Sequence, residues 1–163
     1  PMITSVPCFF ALGIGRIFPY ISFRLSKIDF EEHRLPNQYT LRLFALSVPS
    51  VCLAAVISQS WERLISATLL LFLVLFVGIS LSYLGGLGMG DVKLMASLTL
   101  VSSYLSPWLL LISNFTAAIT ASIWGLWERA KNEKGPSQLI PLGPFLILGF
   151  FTAIGYSLVF KVY

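Results

Sequence analysis

From Leu64 to Leu84 the chain reads LISATLLLFLVLFVGISLSYL, a stretch without one charged residue. It is the strongest single constraint on the fold, because about 20 apolar residues in a helix match the ~30 Å hydrocarbon core of a bilayer. Other long charge-free stretches run from Leu43 to Trp61, from Leu94 to Trp127 and within Gly135 to Phe160. A chain of 163 residues that is 56% hydrophobic and 11% charged could not hide so much apolar surface as a soluble domain. Lipid is then the solvent, and a backbone in lipid must satisfy its hydrogen bonds internally. The sequence predicts an all-α membrane protein, a polytopic bundle forming one membrane-embedded unit over residues 1–163.

Six spans account for the pattern. Leu94 to Trp127 as one helix would be roughly 50 Å long, too long for one crossing. The cluster Ser102-Ser103-Tyr104-Leu105-Ser106-Pro107 breaks it into a short fourth helix and a fifth from about Pro107 to Trp127. The last span starts near Ile140. The first, Ile3 to Phe23, is interrupted by Arg16 and Pro19 and lacks a convincing cleavage site, so it reads as a retained helix. Loops around 24–42, 85–93 and 128–139 share one side and carry Arg24, Lys27, Arg34, Arg42, Lys93, Arg129, Lys131 and Lys134. Against them stand only Arg63 and Lys161. The imbalance places those loops in the cytoplasm and both termini outside. It also explains the formal charge of +4 without invoking nucleic acid. Cys8 and Cys52 lie in separate apolar stretches, with no Cys/His cluster to suggest a metal site.

This topology sorts the seven acidic residues. Glu62 falls outside, and Glu128 and Glu133 sit in a polar linker. Asp29, Glu31 and Glu32 follow the first span and Asp91 follows the third, all at the cytoplasmic face. An ionisable group at membrane depth is costly and marks function by default. Two aspartates that can approach each other hold one proton between them, so one can activate water while the other polarises a carbonyl. The glycines of Gly85-Gly86-Leu87-Gly88-Met89-Gly90 permit unusual backbone and let an extended peptide come close to Asp91. A plain helix cap and flexible loop would need only one or two of them.

Gly88-Met89-Gly90-Asp91-Val92-Lys93-Leu94 resembles the second aspartate motif of the GxGD aspartyl membrane proteases, and among them the type IV prepilin peptidases. Asp29 followed by Pro36, Asn37 and Thr40 is similar to the family's first motif, and Ile140-Pro141-Leu142-Gly143-Pro144-Phe145 to its late proline-rich element. The resemblance implies that Asp29 and Asp91 are the catalytic pair, with no cofactor or metal. It implies an active-site loop and substrate approach formed by Gly88, Gly90, Lys93, Pro36, Pro141, Gly143 and Pro144. The substrate would be a prepilin, cut beside its basic leader in the inner membrane. Nothing in the chain corresponds to the N-terminal methyltransferase region of larger members, and the short form resembles the peptidases of tight-adherence (Tad/Flp) pilus systems. Preflagellin and signal-peptide proteases share the GxGD motif, and a non-enzymatic membrane subunit of a secretion or pilus system could keep the fold.

Several residues admit narrower readings. Glu31 and Glu32 could attract a positive leader or simply solvate an arginine-rich loop. Pro36 and Pro141 fit helix starts. Lys93 and Ser97 share a helix face and could form a Ser/Lys dyad, although Lys93 reads better as a charge holding the cytoplasmic helix end. His33, the single histidine, reads as a loop residue.

Overall fold

The structure is a computed structural model that describes Tyr20 and residues 37–84, 88–131 and 142–160. Among these the chain forms five helices: α1 (Asn37–Ser58), α2 (Trp61–Tyr83), α3 (Met89–Leu105), α4 (Pro107–Lys131) and α5 (Gly143–Phe160). Four of them, α1, α2, α4 and α5, are long and apolar enough to cross a membrane. Of the expected first span, Ile3 to Phe23, only Tyr20 is among the described residues.

The connections fix which ends coincide. A two-residue turn, with Gln59 in the left-handed region at φ 49°, joins α1 to α2, and Ser106 alone separates α3 from α4. Hydroxyls bring these two turns together. Tyr104 Oη lies 3.0 Å from Ser58 Oγ and 2.9 Å from Ser60 Oγ, and the two serine oxygens are 2.7 Å apart. The starts of α1, α3 and α5 and the ends of α2 and α4 therefore gather at the opposite end of the bundle. That end carries Arg42, Asp91, Lys93, Arg129 and Lys131.

Removing one hydroxyl from this part-buried triangle has a modest expected cost. Tyr104→Phe keeps the ring and leaves the two serines bonded to each other. It should lower stability by about 1 kcal/mol, read as a shifted unfolding midpoint in detergent.

Helix α3 is the centre of the bundle and packs against all four others. An unbroken run from Ala96 to Leu105 is buried, with Val92 and Leu94. From Ala96 on no face of it is exposed, so it can be short and carry hydroxyls. Their hydrogen bonds return to the helix: Ser97 donates to the Lys93 carbonyl at 3.1 Å and Ser102 to that of Leu98 at 2.8 Å. By contrast α2 presents Ile65, Leu69, Phe72, Phe76 and Val77 outward, as a lipid-facing helix should.

Small residues set the other contacts. On α4, Ser113, Ala117, Ala121 and Gly125 recur every fourth position and are all buried. Ser113 and Ala117 meet Gly149 of α5, and Thr116 Oγ1 lies 3.3 Å from Thr152 Oγ1 across the same pair. Close backbone approach and hydroxyl bonds replace the hydrophobic drive that helices lack in lipid.

Candidate active site

Asp91 belongs to the first turn of α3, three residues after the cap residue Gly88. The glycine-rich stretch thus leads into a helix, and Asp91 is not a loop residue. The Val92 N–H closes the turn on the Gly88 carbonyl at 3.2 Å. Backbone N–H groups and the positive end of the helix dipole favour a carboxylate at this position. Oδ1 of Asp91 is buried, while the residue as a whole stays partly accessible.

Gly88 makes room for that carboxylate. A Cβ at Gly88 would stand 3.1 Å from Asp91 Oδ2. The backbone there, at φ −72° and ψ 140°, is open to any residue. Conformational freedom, the role expected from the sequence, is not needed at Gly88; space is. Gly88→Ala should leave stability nearly unchanged yet turn the carboxylate aside. An activity loss of about tenfold, measured beside an unaltered melting curve, is the expected result.

The depth of Asp91 follows from its neighbour. Val92 packs against Gly78, whose own Cβ would come within 3.1 Å of Val92 Cγ1. At 1.5 Å per residue this contact lies roughly 8 Å short of the end of α2 at Tyr83. The aspartate is therefore recessed below the rim of the bundle.

Other expected site residues gather at this end. Gly90 completes the first turn of α3 and is partly buried. Gly143 and Pro144 open α5, with Gly143 buried. The Leu142 carbonyl accepts the Leu146 N–H at 3.0 Å, and proline fits a first turn, where no N–H is required. Asp29, Glu31, Glu32, His33, Pro36 and Pro141 lie outside the described residues. Among the described residues, no three His, Cys, Asp or Glu side chains group to hold a metal ion.

Within this geometry the comparison with known families is decisive. A model of the type IV leader peptidase family matches residues 16–125. The chain belongs to this family. The match includes both Asp29 and Asp91 and ends before the late proline element. No curated protein and no solved structure matches significantly.

In this leader peptidase Ser97 is fully buried and spends its hydroxyl proton on the Lys93 carbonyl, which leaves nothing for a Ser/Lys dyad. Lys93 itself is exposed. Helix positions two apart face different ways, so Lys93 and Asp91 diverge from α3.

One carboxylate was misplaced by the sequence reading. Glu128, assigned to a solvated linker, is part of α4, which continues to Lys131. It is partly buried and accepts the Trp124 Nε1–H at 3.2 Å. The available signal was the four-residue stripe Ser113, Ala117, Ala121, Gly125, whose inward face continues to Glu128.

Proposed function

We propose that this protein is a membrane aspartyl endopeptidase that removes the basic leader from type IV or Flp-type prepilins. Asp29 and Asp91 form the pair that activates water. Membership in the leader peptidase family supports a protease with pilin-type substrates. The observation that carries the rest is the Asp91 carboxylate, recessed in the first turn of the central helix with a glycine clearing space beside it.

The chemistry follows from two carboxyls that share a proton. The ionised member takes a proton from water as that water attacks the scissile carbonyl. The protonated member donates to the carbonyl oxygen; the tetrahedral centre then collapses as the proton taken from water passes to the leaving amine and the hydroxyl proton returns to the other carboxylate, without an acyl-enzyme. A peptide in helical form hides its carbonyls in internal hydrogen bonds, so the cleavage segment must unwind to reach Asp91.

Six spans, with the first over Ile3 to Phe23, put the Asp91 end of the bundle in the cytoplasm and both termini outside. The concentration of Arg and Lys at that end supports this orientation in the inner membrane. Co-expression with a tagged pilin carrying its basic leader tests the reading. Loss of the leader shows as a mobility shift on a gel and should depend on both aspartates. An uncut pilin beside a cut preflagellin would move the protein to another branch of the GxGD proteases.

A further inference from the structure

The inward face of α4 ends in a carboxylate for which the proposed reaction has no use. Glu128 lies in the last turn of the helix, where the negative end of the dipole disfavours an acid. It is nonetheless partly buried and held by the Trp124 indole. That indole is itself wedged between Trp127, at 5.3 Å between ring centroids, and Phe145 of α5, at 6.2 Å. The two basic residues of the same turn, Arg129 and Lys131, are exposed, and Lys131 Nζ sits 5.1 Å from the centre of the Trp127 ring. Among the described residues Glu128 makes no ion pair, and its Oε2 takes the indole proton. The helix end and the carboxylate together make a negative spot on the inward face, complementary to a cation.

Its height fits the proposed substrate. Counting from the Ser106 turn at 1.5 Å per residue, Asp91 lies roughly 22 Å along α3 and Glu128 roughly 33 Å along α4. Glu128 therefore stands ~10 Å further toward the cytoplasm than Asp91. An extended peptide covers ~3.3 Å per residue, so this difference spans about three residues.

We propose that Glu128 is the specificity subsite for a lysine or arginine of the substrate leader, about three or more residues before the cleaved bond. The assignment rests on the leader peptidase reading of the site. It refines that reading by locating where the basic character of the leader is sensed. Trp124 acts as a positioning residue that keeps the carboxylate turned inward.

The test uses the full-length protein in lipid vesicles and three pilin substrates, one with its basic leader, one with the leader lysines and arginines changed to glutamine and one with them changed to glutamate. Glu128→Gln keeps an acceptor for the Trp124 N–H, so only the charge is lost. Wild type should prefer the basic leader, and Glu128→Gln should reduce that preference in kcat/KM about tenfold, mostly through KM. Glu128→Lys should favour a leader in which the basic residues are replaced by glutamate. Because the readout is a ratio within each variant, partial unfolding cancels. A preference unchanged in Glu128→Gln, or no preference in wild type, would overturn the assignment. Wild type cutting none of the substrates would instead overturn the parent reading, and this one with it.

Discussion

Asp91→Asn should abolish leader removal, with kcat/KM falling by at least ~10³-fold. Asparagine has nearly the shape of aspartate, fits the space left by Gly88, and is at home near a helix N-terminus. The start of α3 should therefore stay intact, and the variant should melt close to wild type. What is lost is the proton exchange, since an amide neither accepts a proton from water nor gives one to a carbonyl oxygen. Asp29→Asn should be equally inactive. Two groups that act as one unit are not additive, so the double variant should be no worse than either single one. Tagged pilin followed by gel mobility reads all three. Leader removal that survives in either single variant would sink the paired-carboxylate mechanism, whatever the family of the chain.

Some elements were legible because one physical rule governs them. The stretch Leu64 to Leu84 predicted a span, and α2 covers Trp61–Tyr83, because a helix in lipid must be apolar on every outward face. The break at Ser106-Pro107 was equally plain, since proline ends one helix and opens the next. The role of α3 was not plain. A count of charges cannot tell lipid from protein interior, and only the three-dimensional packing shows α3 buried on every side from Ala96 to Leu105. The site was half legible for a related reason. Asp91 stood out as an acid among apolar residues, but the glycines before it disguised the start of a helix as a loop. Glu128 was hidden by its neighbours Arg129, Lys131 and Lys134, which look like a solvated linker although α4 runs on to Lys131. Glu128 was legible only from the buried face it continues.

Gly149→Val should be the most damaging change in the packing, and Gly155→Ala in the same helix its counterpart. A Cβ at Gly149 would overlap the Ser113 carbonyl oxygen and stand 3.0 Å from both Ala117 N and Ala117 Cβ. Two of these three atoms are backbone, so no side-chain rotation relieves the overlap and α4 and α5 must part. Overpacking of this kind costs about 1–3 kcal/mol, and more when backbone has to move. Gly155, by contrast, has nothing within 4 Å of its would-be Cβ. Alanine there should be neutral or stabilise by up to ~1 kcal/mol through helix propensity. Thermal melts in detergent would rank the two against wild type. Because α5 brings Gly143 and Pro144 to the same end of the bundle as Asp91, and Phe145 to Trp124, the Gly149 variant should lose leader cleavage as well as stability. If both variants melted alike, the Gly149–Ser113 contact would not be what holds α4 to α5. The Thr116–Thr152 pair and the aromatic contacts at Trp124 would then have to hold that interface.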